Sequence, residues 1–360
     1  MLKNHIAKGG WIKMMGNMMR TLVVDKDGAL RIDRCPVPKY TENDALVKII
    51  SCGICNGTDG KLIHRNFKGF TQDMYPIMLG HEGVGRVLEV GKNVTSYKVG
   101  DIVLLPFVDA CEDFESGWGA FSEYGVINDA QAYINSGLTP PECAFAQTVI
   151  PDFIDSVKAP MIITFREVLS SIKRFGIKEN DDVVVFGCGP VGLTFIQFMN
   201  LLGVGKIIAL DIVPEKLEVA KNKGADYVFD SGDDDITDKI KEICPQGVGY
   251  VIDAVGISKI INQAMPLLKD QGKICCYGIS ANTKFEVDWT NAPYNWQLQF
   301  QQFPSKIEEG LANKQIISWI ANGVISIDEY ISDIVDFENI LSAFEKVEKK
   351  EIAKKCIIKF

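Results

Sequence analysis

The stretch DVVVFGCGPVGL at positions 182–193 constrains this chain more than any other. Its residues 183–186 form an apolar, largely β-branched run without alternation, the pattern of a parallel strand covered on both faces. Gly187, Gly189 and Gly192 follow as G-x-G-x-x-G, with Pro190 and Val191 inside the motif. In such a turn the first two glycines permit a tight bend and close approach to a pyrophosphate, and the third lets the next helix pack on the strand. The phosphates would sit on the free N–H groups at that helix's N-terminus. Alone, the triplet is weak in a chain with 32 glycines. Its context strengthens it. A helix is expected over 193–202, then a second apolar strand over 206–211 that ends in Asp211, about twenty residues past the turn, where a carboxylate accepts the adenosine ribose hydroxyls. The competing reading is an ordinary βαβ turn with a helix-capping Asp. No Arg, Lys or His follows Asp211 before Lys216, and a carboxylate there repels a 2′-phosphate, so NAD is favoured over NADP.

Helix and strand patterns go on alternating after Asp211, as a doubly wound parallel sheet requires. Helices are expected over 215–224, 236–243 and 260–268, and strands over 226–229, 250–255 and 273–277. Gly256 ends one of these strands, on the adenosine side, and Gly278 another, where the nicotinamide is expected. From 291 the pattern changes to an aromatic, Gln-rich stretch, followed by helices near 307 and 343 and a strand-like C-terminus. The Lys and Glu run from 345 to 355 reads as a solvated helix face.

At 360 residues, two lobes are the natural expectation. A net charge of −9 argues against nucleic acid and anionic membranes, which select basic faces, and leaves small molecules as partners. No apolar run reaches the length of a membrane span. The first eighteen residues lack the continuous apolar core of a signal peptide and read as an N-terminal extension. Ten cysteines without a small secreted framework fit a reducing compartment, hence a cytoplasmic protein.

The first lobe reads as β-rich, with strand-like runs over 20–24 and 45–51 separated by turn-rich segments. It contains CGICNGTD at 52–59 and GHEGVG at 80–85. Zinc takes a thiolate, an imidazole nitrogen or a carboxylate oxygen, and Cys55, His81 and Glu82 offer one of each. The chain has only three histidines, and His81 is the one set between glycine and glutamate. Cys52 and Cys55 also have the spacing of a thioredoxin-like redox pair, although that motif opens a helix after a central strand. Lys61 and His64 could serve the substrate side or simply lie in an exposed loop. Cys188, Cys275 and Cys276 read as buried apolar side chains.

With these motifs the chain resembles the zinc-dependent medium-chain dehydrogenase/reductase (alcohol dehydrogenase) family, its polyol (sorbitol) and threonine dehydrogenases especially, from Met19 to the C-terminus. The resemblance implies an α/β fold: a Rossmann doubly wound parallel sheet over 158–299, plus a β-rich GroES-like catalytic domain made discontinuously from 19–157 and 300–360. It implies one catalytic zinc on Cys55, His81 and Glu82, with the Thr58 hydroxyl bonding the alcohol oxygen and starting a proton relay. NAD would lie on Gly187, Gly189, Pro190, Val191, Gly192, Asp211, Gly256 and Gly278. The implied reaction is hydride transfer between NAD(H) and a secondary alcohol of a polyol, sugar derivative or hydroxy amino acid, in a homodimer or homotetramer.

Three departures stand against the family pattern. The loop from Cys55 to Asp59 is one residue longer than the usual Cys-Gly-Thr-Asp, which could displace Thr58. The family's later zinc ligand falls on Ile163, which cannot ligate; Asp152, Asp155 and Glu167 are the candidate substitutes. The loop that holds four structural-zinc cysteines in many relatives retains only Cys111. Ile163 motivates a rival reading, a zinc-free NAD(P)-dependent reductase, and a second rival is a dinucleotide-binding protein without catalysis.

Overall fold

The computed structural model describes residues 18–360, so the extension expected over 1–18 lies, apart from Met18, outside the described residues. The chain divides into two compact units. One runs to Arg166 and resumes over Ser305–Phe360, and the other is Glu167–Pro304.

The second unit is built on six parallel strands in the order Tyr227–Asp230, Ile207–Asp211, Val183–Phe186, Val248–Asp253, Leu268–Cys276, Trp296–Phe300. Numbered along the chain this is 3-2-1-4-5-6, the doubly wound order, with its switch point between Val183–Phe186 and Val248–Asp253. Val183, Val184 and Val185 are all fully buried, which is why the run shows no alternation. Helices Pro190–Leu201, Pro214–Asn222, Ile236–Ile243 and Lys259–Ala264 connect the strands. The sixth strand is a correction. The sequence WQLQF at 296–300 alternates with period two, the signal of a half-covered strand, and its glutamines masked it.

Asp253 closes the fourth strand of that order and is nearly fully buried. Burial pushes its carboxyl up to about 6, and the N–H groups of Val255 and Gly256, donating to Oδ1 at 2.9 and 2.8 Å, only partly oppose this. A carboxyl raised in the folded state contributes stability at low pH that is lost as pH rises from its unfolded value through about 6. Asp253→Asn keeps an oxygen for both amides and removes the titration. Its stability relative to wild type is therefore expected to grow by up to about 3 kcal/mol between roughly pH 4 and 7 in urea unfolding of the cofactor-free protein. A difference that stays flat with pH would show that Asp253 titrates normally.

The first unit is rich in short strands. Its larger sheet takes the order Ile331–Asp336, Lys355–Lys359, Asp44–Gly53, Glu82–Val90, Ile102–Leu104, with Tyr124–Asn128 also paired to Asp44–Gly53. A smaller sheet has Leu30–Pro36, Met18–Val24, Ile77–Met78 and Glu115–Ser116. Two pairings position the site. Asp44–Gly53 runs antiparallel to Glu82–Val90 with Gly53 opposite Glu82, and on its other edge to the C-terminal strand with Gly53 opposite Ile357. One strand thus lies between the GHEG segment and the chain end. A Cβ on Gly53 would stand 2.3 Å from Glu82 Oε2, so any side chain there would push against the Glu82 carboxylate.

Candidate metal centre and cofactor turn

The pairing of Gly53 with Glu82 sets two chain segments side by side, the one leaving the first strand at Cys55 and the one entering the second at His81. Cys55, His81 and Glu82 each place one ligand atom within 4.8 Å of the others, and among the described residues they are the one such group. The backbone then turns tightly: Thr58 and Asp59 N–H donate to the Cys55 carbonyl at 3.1 and 2.8 Å, and helix Asp59–Ile63 begins at once. The longer loop leaves Thr58 at the site. Thr58 is 3% exposed, and its Oγ1 lies 3.9 Å from Cys55 Sγ.

Asp59 ties this loop to the histidine. Its Oδ2 accepts from the Cys55 N–H at 2.9 Å, while Oδ1 stands 3.5 Å from His81 Nδ1. Both Oδ1 and Nδ1 are buried without a hydrogen-bond partner, so the pair needs only a small approach to close a proper bond. A proton fixed on Nδ1 leaves the Nε2 lone pair free to ligate, the usual arrangement behind a metal-ligating histidine. Burial pulls the His81 pKa down, but contacts with Asp59 and Cys55 outweigh it and hold the imidazole well above its ordinary value. A metal entering here competes with a proton. Thiol, oriented imidazole and carboxylate are a donor set that fits zinc.

Glu82 is already engaged. Lys355 Nζ donates to both of its oxygens at 2.7 Å, Thr164 Oγ1 donates to Oε1 at 3.4 Å, and Lys355 and Glu82 are 5% and 2% exposed. Lys355 corrects the reading of 345–355 as a solvated face: helix Ile340–Glu348 ends before it, and it is the first residue of the buried C-terminal strand. Ile163 is fully buried, and none of the substitutes joins the group. Asp155 Oδ1 instead accepts from Val157 N–H at 2.8 Å, and Glu167 Oε2 from the Tyr277 hydroxyl at 3.3 Å.

The glycine turn lies within the second unit. Gly187 has φ +95°, and a Cβ on Gly192 would stand 1.8 Å from the Gly187 carbonyl oxygen, so the third glycine is demanded by helix–strand contact. At Gly189 an added Cβ would meet no atom within 4 Å, and Pro190 opens the helix just behind it. The turn offers room and a helix N-terminus, which fits a phosphate. Asp211 supports the turn from the neighbouring strand, its Oδ2 accepting from Cys188 N–H at 2.7 Å and its Oδ1 from Val213 N–H at 3.0 Å. Gly256 and Gly278 touch each other, a Cβ on Gly278 falling 2.1 Å from Gly256 N. Gly256 is further required by its φ of +83° and by the Ile279 carbonyl oxygen, 2.5 Å from where its Cβ would stand.

The parallel sheet and its glycine turn define a dinucleotide-dependent class of fold, and the thiol–imidazole–carboxylate group on the β-rich unit narrows it to proteins that pair a nucleotide with a metal. Residues 41–135 match the family described as alcohol dehydrogenase GroES-like domain, and residues 190–301 match zinc-binding dehydrogenase. Among relatives, sorbitol dehydrogenase of Bacillus subtilis is 26% identical over 348 residues, covering 91% of this chain and 93% of its own. L-threonine 3-dehydrogenase of Sinorhizobium medicae is 28% identical over 284 residues, covering 76% and 80%. Solved structures with the same fold include benzyl alcohol dehydrogenase from Acinetobacter calcoaceticus (TM-score 0.80, 21% identity, 96% and 99% covered). Another is an alcohol dehydrogenase from E. coli CFT073 complexed with NADH (TM-score 0.77, 23% identity, 96% and 100% covered). The chain belongs to the zinc-type medium-chain dehydrogenase family and is an oxidoreductase of that kind, using zinc and a nicotinamide cofactor.

Proposed function

We propose that this protein oxidises a secondary alcohol of a polyol, sugar derivative or hydroxy amino acid with NAD, using one zinc held by Cys55, His81 and Glu82. The observation that carries this reading is the convergence of those three donors within 4.8 Å, with Asp59 set behind two of them. When bound, zinc supplies the charge that lets an alcohol lose its proton near neutral pH, and the nicotinamide supplies the hydride acceptor. The chain's own part is positional. Asp59 holds the Cys55 loop and the His81 ring. Glu82 has two oxygens, so Lys355 can keep one while the other faces the metal. In this reading the Thr58 hydroxyl, buried next to Cys55, takes the alcohol's proton as it gives up its own to the start of a relay.

Asp211 is read as the residue that selects NAD. Asp211→Gly removes the acceptor for the ribose hydroxyls and the charge that opposes a 2′-phosphate, so the preference for NAD over NADP is expected to fall by at least about tenfold. It also frees the Cys188 and Val213 amides, which weakens both cofactors and makes the ratio of kcat/KM values the quantity to measure. An unchanged ratio would remove Asp211 from the ribose site.

The substrate class is tested by NAD reduction over a panel of small polyols and L-threonine, with and without a chelator. Chelator-sensitive turnover of a secondary alcohol supports the reading. Chelator-resistant turnover would favour the zinc-free reductase, and none on any alcohol the non-catalytic rival. Ten free cysteines support a cytoplasmic setting, and no described helix is long and apolar enough to cross a membrane. Trp296–Phe300 forms one edge of its sheet and leaves Phe300 half exposed, which supports pairing of copies into a dimer or tetramer.

A further inference from the structure

The nicotinamide half of the second unit carries an acidic group that the reading above leaves unused. The adenosine half goes with the glycine turn and Asp211, on strands Val183–Phe186 and Ile207–Asp211. A dinucleotide laid across the switch point therefore brings its nicotinamide to the carboxyl ends of Val248–Asp253 and Leu268–Cys276, so that Gly256, expected on the adenosine side, falls beside Gly278 on the nicotinamide side. Tyr277 follows directly on the second of these, its N–H donating to the Asp253 carbonyl at 3.0 Å. Its ring packs edge-on against buried Phe195 at 5.3 Å, and its hydroxyl donates to Glu167 Oε2 at 3.3 Å. Glu167 sits midway along helix Pro160–Phe175 and is the one residue between positions 159 and 172 that is not buried. A carboxylate is thus steadied at the strand end by a phenol that is itself held in place.

We propose that Glu167, positioned by Tyr277, is an electrostatic partner of the nicotinamide ring that favours the oxidised cofactor over the reduced one. This rests on the dinucleotide reading. NAD⁺ and NADH share their phosphates and riboses and differ in ring charge, a cationic pyridinium against a neutral dihydropyridine. A fixed negative charge near the ring therefore acts on the difference between the two affinities, by about threefold to tenfold for one partly screened charge.

The test is the dissociation constant of each cofactor form, without substrate, for wild type, Glu167→Gln and Tyr277→Phe, by calorimetry for NAD⁺ and nicotinamide fluorescence for NADH. Glu167→Gln is expected to weaken NAD⁺ about threefold to tenfold while moving NADH less than about twofold. Tyr277→Phe, which keeps the charge and loses its tether, should shift the ratio in the same direction by less. Equal weakening of both forms, or no change in either, in variants of a wild type that binds both would overturn this proposal alone. A wild type that binds neither form would overturn the dinucleotide reading and this proposal with it.

Discussion

Cys55→Ser is expected to lose zinc and nearly all turnover while keeping its NAD affinity within about twofold. Loss of a partner behind a metal ligand already costs about 10- to 100-fold in affinity, so loss of the thiolate itself is expected to cost more than about 100-fold. A serine hydroxyl, neutral at pH 7, is no replacement. The cofactor side is spared because Gly187, Gly189, Gly192 and Asp211 all lie in the other unit. Cys52→Ser is the control. Cys52 is fully buried, its N–H and C=O lie in the strand between Gly83 and Ile358, and burial holds its thiol well above the ordinary range. It should keep the metal. Elemental analysis, turnover and NADH titration on both variants check this, and metal retained in Cys55→Ser but lost in Cys52→Ser would place the site on the wrong thiol.

Lys355→Met is expected to destabilise the metal-free protein by about 3–5 kcal/mol, because it strands the Glu82 carboxylate in a buried site without its counter-charge. The pair is deep, 5% and 2% exposed, so solvent screening does little to soften the loss. Adding Glu82→Gln to Lys355→Met removes the stranded charge and should return much of that stability. Urea unfolding of the two single variants, the double variant and wild type, all stripped with a chelator, gives the coupling. If Lys355→Met alone lies within about 1 kcal/mol of wild type, the ion pair does not hold the C-terminal strand in place.

What could be read from the sequence was what is written locally. The β-branched run into G-x-G-x-x-G, Asp211 at the end of the next strand and the donors Cys55, His81 and Glu82 are each contained in a short segment whose pattern has a physical meaning. Lys355 was not legible, since its partner stands 273 residues away and a lysine beside other lysines reads as surface. Its burial follows from the C-terminal strand, where it pairs with Ile331 and stands two residues before Ile357, the residue opposite Gly53. Asp59 was in plain view as part of the loop, yet its two contacts depend on how that loop turns into a helix. For the same reason the extra residue looked disruptive: the turn accommodates it and leaves Thr58 buried beside Cys55. Ile163 carries no donor atom, and Glu167, one helical turn further on, bonds Tyr277 instead.

The most direct test is zinc K-edge absorption of the purified protein, taken together with its metal content. The expected result is about one zinc per chain, with one sulfur at about 2.3 Å and nitrogen or oxygen ligands at about 2.0–2.1 Å. A protein that oxidises alcohols with NAD but holds no zinc, or a zinc with no sulfur in its shell, would contradict the assignment of Cys55 and with it the metal centre.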